Sequence, residues 1–148
     1  MGATLSPRLR EIVDALPLSP GMRVLEIGCG TGAAAREIAR RSEGVSVLAI
    51  DRSPRAIART IGRSQPGIAA GTLSYRQAAI EVFDLAEDEQ RFDLAFAVRV
   101  GALDGRHPEL ADRALARICA ALKPSGILIV DGGDPLSRAA LVSGLGKD

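Results

Sequence analysis

Short apolar runs alternate along the chain with segments in which apolar residues recur every three or four positions. The runs predict β-strands buried on both faces, and the longer spacing predicts amphipathic helices between them. The predicted strands are residues 23–27, 45–50, 73–78, 94–98 and 127–130. Because strands and helices alternate, we expect an α/β fold, namely a three-layer αβα, doubly wound sheet of about five parallel strands.

Capping residues and prolines set the helix boundaries. Ser6-Pro7 and Ser53-Pro54 each place a capping hydroxyl before a first-turn proline, which predicts that a helix begins there. The predicted helices are residues 7–16, 33–41, 54–63, 109–122 and, in the tail, 136–145. Residues 65–71 are predicted to form a loop, and the acidic segment between the third and fourth strands leaves room for a short helix.

The first predicted strand runs into a turn rich in glycine. Gly28, Gly30 and Gly32 occupy alternate positions, and Glu26 stands among the apolar residues of the strand. Glycines at this spacing let the backbone approach a ligand closely, and the helix start that follows offers unpaired N–H groups. Asp51 follows Gly32 by nineteen residues, at the end of the next strand. A βαβ unit presents a carboxylate to a ribose at this distance, so the pattern predicts a cofactor pocket.

Glu26 discriminates between two kinds of pocket. Dinucleotide-binding proteins use a similar turn, and Ala33 would complete their glycine pattern. A carboxylate two residues before the first glycine would repel the pyrophosphate of a dinucleotide, whereas it attracts a cation. S-adenosylmethionine carries a sulfonium and an ammonium and has no phosphate. The stretch from Val24 to Gly32 resembles motif I of the class I, Rossmann-like S-adenosylmethionine-dependent methyltransferases, whose pattern is an acid, one apolar residue and Gly-x-Gly-x-Gly.

The resemblance extends from about Leu9 to Asp131 and implies further roles. Asp51 matches the acid that holds the ribose hydroxyls, although it could instead cap the helix at Pro54, for which Ser53 is better placed. Gln77 stands where the family usually has an acid facing adenine, and its amide carbonyl can still accept a hydrogen bond. The cofactor-binding residues implied are Glu26, Gly28, Cys29, Gly30, Gly32, Asp51, Arg52, Gln77, Ala78, Ala79 and Val98, with Ile80 extending an apolar adenine wall.

Methyl transfer in the resembled family is a direct displacement, which needs placement and desolvation more than a fixed set of catalytic groups. The candidates near the expected methyl position are Arg99, Asp104, His107, Asp131 and Asp134. Arg99 would either orient a carboxylate substrate or pair with Asp131 across neighbouring strand ends. His107 would either be a base or a loop residue that precedes a helix cap.

Composition places the chain among single-domain globular proteins. Its 148 residues are 47% hydrophobic and 25% charged, and no apolar run is long enough for a bilayer or a signal peptide. We expect a cytoplasmic protein with an N-terminal helix and turn (1–22), a cofactor-binding core (23–131) and a tail (132–148). Cys29 and Cys119 lie far apart without a CxxC motif, and His107 is the single histidine, so we expect reduced cysteines and no metal site.

Charge gives little indication of a nucleic-acid partner. The net charge is +1, and aromatic residues make up 3% of the chain without any Trp, which leaves few platforms for base stacking. Arg55, Arg59 and Arg63 recur every four residues, as on a solvated helix face or, less favoured, a face for an anionic substrate or RNA backbone. The segment after the fourth strand also lacks the Asp/Asn-Pro-Pro-aromatic signature of enzymes that methylate exocyclic amines of bases.

These observations predict a methyltransferase acting on a small-molecule acceptor. The alternative is a non-catalytic S-adenosylmethionine-binding protein, or a subunit whose partner completes the acceptor site. Seventeen residues follow Asp131, enough for one helix, whereas the family's sheet normally adds two antiparallel strands beside the fifth. A bare fifth-strand edge would invite pairing. We therefore expect it to be covered by a second copy in a homodimer, or, less favoured, by the N-terminal helix or the C-terminal tail.

Overall fold

The computed structural model describes residues 5–41 and 43–145. Within them, six strands form one sheet: β1 Arg23–Ile27, β2 Ser46–Asp51, β3 Leu73–Gln77, β4 Phe92–Ala97, β5 Leu122–Val130 and β6 Leu136–Ser137. The helices are α1 Pro7–Ala15, α2 Ala33–Arg41, α3 Pro54–Arg63, α4 Gln65–Ala69, α5 Pro108–Ala121 and α6 Arg138–Leu145, with a 3₁₀ helix at Ile80–Val82. The sheet is Rossmann-like and mostly parallel, with helices on both faces.

The strand order β3-β2-β1-β4-β5-β6 determines where a ligand can bind. The chain moves outward from β1 to β3 and then crosses to β4 on the other side of β1. All neighbouring strands are parallel except β5 and β6. The carboxyl ends of β1, β2 and β4 therefore converge at the point where the order reverses, which is the usual ligand position in such sheets.

The core has two parts, one on each face of the sheet. Alternate residues of a strand point to opposite faces. Val24 and Phe96 belong to the cluster that includes residues of α1, α2 and α3, whereas Leu25 and Ala95 belong to the cluster that includes residues of α5 and α6. The central strands are buried on both sides, which explains their continuous apolar sequences.

Several elements match their sequence-based predictions closely. β1 and α2 have the predicted bounds, and α1 and α3 begin at the predicted prolines. The Ser6 hydroxyl accepts a hydrogen bond from the Leu9 N–H at 3.2 Å, and the Ser53 hydroxyl accepts one from the Ala56 N–H at 3.1 Å. These contacts are the expected N-caps.

Two predictions of local structure were wrong. The predicted loop at 65–71 contains the short helix α4, since Pro66 lies in its first turn, where no N–H partner is needed. β5 begins at Leu122, five residues earlier than predicted, because Leu122 pairs with Phe92 before the register shifts. The intervening Lys-Pro-Ser-Gly sequence resembles a turn, and only the tertiary pairing makes it part of a strand.

The C-terminal tail begins differently from its prediction as a single helix. Leu136 and Ser137 form β6, which pairs antiparallel with Leu128 and Ile127 of β5, and α6 follows directly. From the sequence, the tail is a less favoured candidate for covering the fifth-strand edge. The tail occupies this part of the edge, and its antiparallel strand makes the sheet mixed. The homodimer through the same edge stays a prediction. In the part of the chain that the structure describes, no helix has the length and hydrophobicity to cross a membrane.

Candidate functional site

The glycine-rich turn after β1 is attached to the end of β2 by backbone hydrogen bonds. The N–H groups of Gly28 and Cys29 donate to the carbonyl oxygen of Ile50, at 2.8 and 2.9 Å. The Gly32 N–H donates to the Cys29 carbonyl oxygen at 2.9 Å, just before α2. Gly28, Gly30 and Gly32 have φ values of +71°, +52° and +78°. Residues with a side chain rarely adopt this left-handed backbone conformation, so the turn itself requires glycine at the three positions.

Neighbouring side chains leave no room for a Cβ atom on two of these glycines. A Cβ atom on Gly28 would lie 2.8 Å from Val100 Cγ2, and one on Gly32 would lie 1.7 Å from Thr60 Oγ1. Thr60 is fully buried and accepts a hydrogen bond from Arg36 Nη1 at 3.1 Å. The turn is thereby packed between the segment after β4 and helix α3.

The Asp51 carboxylate lies beside the turn, at the end of β2. Its Oδ2 accepts a hydrogen bond from the Gly30 N–H at 2.9 Å, and its Oδ1 accepts one from the Ser53 N–H at 2.9 Å. The cap of α3 is the Ser53 hydroxyl, so Asp51 does not serve as that cap. Each carboxylate oxygen retains lone-pair capacity, and the pair can accept hydrogen bonds from two adjacent hydroxyl groups.

Glu26 is a buried acid without a complete set of partners. Glu26 is 5% exposed, and its Oε1 accepts no hydrogen bond from any described residue. Burial raises the pKa of Glu26 to about 8, and the charge of Asp51 adds to this, while the Ala35 backbone amide and Arg36 act in the opposite direction. An unpartnered buried carboxyl is costly, and such groups usually indicate a missing partner.

A cavity of about 270 Å³ opens at the carboxyl ends of the first four strands. The residues lining it are Ile27, Gly28, Asp51, Arg52, Ala78, Ala79, Ile80, Glu81, Arg99, Val100, Gly101, Ala102, Arg106, His107 and Leu110. The apolar wall predicted from residues 78–80 is thus adjacent to Asp51. The residues proposed from the sequence that do not line this cavity are Glu26, Cys29, Gly30, Gly32, Gln77, Val98, Asp104, Asp131 and Asp134.

Some of these other residues have identifiable local contacts. Gln77 is exposed, and its Nε2 donates to the Arg52 carbonyl oxygen at 3.3 Å. Cys29 is buried, which raises the pKa of its thiol above the usual range. Val98 packs against the core cluster on the α2 face. Neighbouring residues form the cavity surface, and the exposed Gln77 directly precedes the wall residue Ala78.

The ends of β4 and β5 are joined by a pair of residues with unusual backbone. Arg99 and Asp131 are the non-glycine residues with positive φ in the described chain, at 57° and 51°. Asp131 Oδ1 accepts a hydrogen bond from the Arg99 N–H at 2.8 Å, and the Asp131 N–H donates to the Ala97 carbonyl oxygen at 2.8 Å. The two residues interact, as one interpretation of the sequence proposed, but through the Arg99 backbone and not its guanidinium group.

The segment between β4 and α5 folds back on itself. Arg106 Nη2 donates to the Arg99 carbonyl oxygen at 2.7 Å, and Arg106 Nε lies 2.9 Å from Asp104 Oδ2. His107 Nδ1 lies 3.4 Å from Glu109 Oε1, and its ring covers Gly101, whose Cβ would lie 2.4 Å from His107 Cδ2. His107 is both the residue before α5 and part of the cavity wall, so its two sequence-based interpretations are compatible.

Part of the cavity wall was missed at the sequence level. The missed residues are Ile27, Glu81, Val100, Gly101, Ala102, Arg106 and Leu110. Val100 reaches Gly28 because β1 and β4 pair with Ile27 opposite Ala97. No local motif marks these positions. Knowledge of that register would have revealed Val100.

The described residues contain no cluster of three or more His, Cys, Asp or Glu residues that could hold a metal ion. Cys29 and Cys119 are both buried free cysteines.

The fold and this strand-end site agree with a comparison against known families. Residues 24–126 match the family described as the methyltransferase domain, and the chain belongs to this family. The match includes the glycine-rich turn, both acids and the first four strands.

Individual relatives have similar sequences over most of this chain. It is 33% identical over 119 residues to a ubiquinone biosynthesis O-methyltransferase from Azorhizobium caulinodans, covering 79% of this chain and 43% of the relative. It is 30% identical over 120 residues to a 2-methyl-6-phytyl-1,4-hydroquinone methyltransferase from Synechocystis sp., covering 80% and 33%. The chain thus spans less than half the length of either relative.

A comparison with solved structures finds the same fold. A crystal structure of a SAM-dependent methyltransferase from Thiobacillus denitrificans, in complex with S-adenosyl-L-homocysteine, superposes with a TM-score of 0.64 at 22% identity. The similarity covers 88% of this chain and 50% of that one. At this identity the likeness establishes the shared Rossmann-like fold.

Proposed function

We propose that the chain binds S-adenosylmethionine and transfers its methyl group to a small-molecule acceptor. The observation that carries this proposal is the buried Glu26, whose Oε1 lacks a partner, beside a glycine turn that Asp51 holds at the cavity. A cationic cofactor would supply the missing electrostatic partner. Membership of the methyltransferase domain family supports the same conclusion.

The hydrogen bonds of the turn favour this cofactor over a dinucleotide. A pyrophosphate needs free backbone N–H groups at the turn. Here the N–H groups of Gly28, Cys29, Gly30 and Gly32 all have acceptors within the protein. A ligand without phosphate leaves these bonds intact, and the acids Glu26 and Asp51 suit its positive charge and its ribose.

The chain's residues would hold the cofactor from three sides. Asp51 would accept hydrogen bonds from the ribose hydroxyls, and the wall formed by residues 78–80 would cover the adenine. Gln77, whose Nε2 is bonded to Arg52, keeps its carbonyl oxygen available to the adenine amine. Gly28, Gly30 and Gly32 would allow close backbone approach. The residues proposed for cofactor binding are Glu26, Gly28, Cys29, Gly30, Gly32, Asp51, Arg52, Gln77, Ala78, Ala79 and Val98.

The bound cofactor supplies a sulfonium methyl group to an attacking acceptor atom. The chain contributes placement and exclusion of water, for which the apolar wall residues Val100 and Leu110 are suited. His107 is the candidate base where an acceptor must lose a proton, because it lines the cavity and a neutral imidazole nitrogen can accept a proton. Asp131 would position Arg99 by accepting a hydrogen bond from the Arg99 N–H, since Asp131 itself does not line the cavity.

Calorimetric titration tests the cofactor assignment. We expect micromolar binding of S-adenosylmethionine and S-adenosylhomocysteine by the wild-type protein and loss of at least about tenfold in affinity for Asp51→Ala. Ser53→Ala is the matched control, because it removes the helix cap and keeps the backbone donor to Asp51. Folded wild-type protein that binds neither compound, or that binds a nicotinamide dinucleotide instead, would refute the proposal.

Catalysis needs a separate measurement. Incubation with radiolabelled S-adenosylmethionine and a panel of phenols, quinols and carboxylic acids should give a labelled small molecule. The panel follows the relatives, whose names include a ubiquinone O-methyltransferase and a hydroquinone methyltransferase. Cofactor binding without transfer to any acceptor, alone or with cell extract, would favour the non-catalytic alternative.

A further inference from the structure

The guanidinium group of Arg99 has no assigned role in the cofactor contacts above. Arg99 is exposed, lines the cavity and forms no ion pair within residues 5–41 and 43–145. Arg106, which lines the same wall, is paired with Asp104, and His107 lies near Glu109. Arg99 therefore brings to the cavity wall, just after β4, a guanidinium group that has no ion-pair partner among the described residues.

The Arg99 backbone is held firmly in a conformation that is unfavourable for a side-chain-bearing residue. Its N–H donates to Asp131 Oδ1 at 2.8 Å, and its carbonyl oxygen accepts from Arg106 Nη2 at 2.7 Å. Its φ of 57° lies in the left-handed region, which residues with a Cβ atom rarely adopt. The side chains of Asp131 and Arg106 thus hold the Arg99 backbone in this conformation at the cavity wall.

The acids around the cavity form no ion pair with the Arg99 guanidinium group, and this includes Glu81, which lines the cavity wall. Asp51 is bonded to the Gly30 and Ser53 N–H groups on the β2 side, and Asp131 is bonded to the Arg99 backbone. The N–H groups at positions 28, 29, 30 and 32 of the glycine turn are also occupied. An anionic group that enters this end of the cavity would therefore find Arg99 as its main charged donor.

We propose that Arg99 binds a carboxylate of a ligand in this cavity, forming the charge-assisted hydrogen bonds for which a guanidinium fork is suited. This inference rests on the proposed function, which supplies two sources of a carboxylate. One is the amino-acid end of the cofactor. The other is an acidic acceptor.

Arg99→Gln tests the inference, because it removes the charge and retains both backbone hydrogen bonds. Arg55→Gln is the matched control, since Arg55 is also exposed and forms no ion pair within residues 5–41 and 43–145, but lies on α3 and does not line the cavity. The ligands are S-adenosylhomocysteine, its analogue 5′-methylthioadenosine, which lacks the amino-acid end, and the acids benzoate and succinate. Calorimetry measures the first two, and NMR titration of the S-adenosylhomocysteine-loaded protein measures the acids.

The two sources give different results. If the cofactor supplies the carboxylate, Arg99→Gln weakens S-adenosylhomocysteine binding by about tenfold or more and leaves 5′-methylthioadenosine binding unchanged. If the acceptor supplies it, S-adenosylhomocysteine binding is unchanged, and saturable binding of an acid to the loaded wild type is lost in Arg99→Gln. In either case Arg55→Gln behaves as the wild type in that measurement.

Three outcomes would overturn the inference. Arg99→Gln could match the wild type in both measurements, it could weaken both adenosine ligands equally, or Arg55→Gln could reproduce its effect, which would indicate only the overall positive potential. Failure of the wild type to bind S-adenosylhomocysteine would instead refute the proposed function. The wild-type titration therefore separates the two failures.

Discussion

At the scale of single residues, Glu26 is the group whose chemistry depends most on burial. A glutamic acid side chain in water loses its proton at a pH well below neutral. Burial raises the pKa of Glu26 from 4.5 to about 8. In the ligand-free protein at neutral pH, the carboxyl group is therefore mainly protonated. A cation beside it would favour the ionised form and lower its pKa.

This coupling predicts pH-dependent cofactor binding. Because the ionised carboxylate attracts the cation, binding of S-adenosylmethionine below the pKa of Glu26 requires release of a proton. We expect affinity to rise from pH 6 towards pH 8, by at most about tenfold per pH unit, and to level off above pH 8. Calorimetry across this range measures it, and Glu26→Gln should bind more weakly with a flatter profile. Identical profiles in the two proteins would contradict the assignment.

At the scale of secondary-structure elements, the glycine turn and the helices around it form one packed unit. Gly32 leads into α2, and the space beside its α-carbon is occupied by Thr60 of α3, which Arg36 of α2 holds by a hydrogen bond. Ser64 accepts a second bond from Arg36 at 3.2 Å and contacts the Tyr75 hydroxyl at 2.8 Å. The turn is thus supported from behind by polar groups of α2, α3 and β3.

Two alanine substitutions separate backbone strain from this packing. Gly30→Ala and Gly32→Ala both place a side chain at positive φ, but a Cβ atom on Gly30 meets nothing within 4 Å. We expect Gly30→Ala to lower the free energy of unfolding by about 1 kcal/mol. Gly32→Ala should lower it by about 3 kcal/mol or more, because its Cβ atom overlaps Thr60 Oγ1. Urea denaturation measures both, and equal losses would argue against the packing.

The elements that the sequence predicted best are those with local signals. β1, the glycine turn, α2 and the serine caps depend on residues within a few positions of one another. α4 and the first half of β5 depend on distant contacts, such as the pairing of Leu122 with Phe92, and their sequences suggest turns. β6 is two residues long and exists through its pairing with β5, so periodicity could not reveal it.

At the scale of the whole molecule, the sheet order explains which parts of the site were predictable. Glu26, the glycines and Asp51 belong to one βαβ unit, so spacing along the chain was sufficient to group them. The wall from Arg99 to Leu110 comes from across β1, and its placement depends on the β1–β4 register. The conformations of Arg99 and Asp131 arise from contacts between the ends of β4 and β5, which the residues next to either position do not indicate.

The tail occupies part of the β5 edge, through which the homodimer is predicted to form. Leu136 pairs with Leu128, which is fully buried, and this pairing occupies backbone positions that another chain would use. Leu136→Pro fixes φ and removes the backbone N–H at a residue that pairs with Leu128, so it should weaken β6 and uncover the edge. Leu136→Ala is the matched control, because it shortens the side chain and retains the N–H.

We expect Leu136→Pro to have a higher molar mass by light scattering than the wild type and Leu136→Ala at equal concentration, because an uncovered apolar strand edge promotes pairing between chains. Circular dichroism would verify that each variant remains folded. Equal masses for the three folded proteins would show that β6 does not protect the edge. A dimeric wild type that Leu136→Pro converts to monomer would place the tail within the dimer interface, because loss of β6 would then remove contacts between copies.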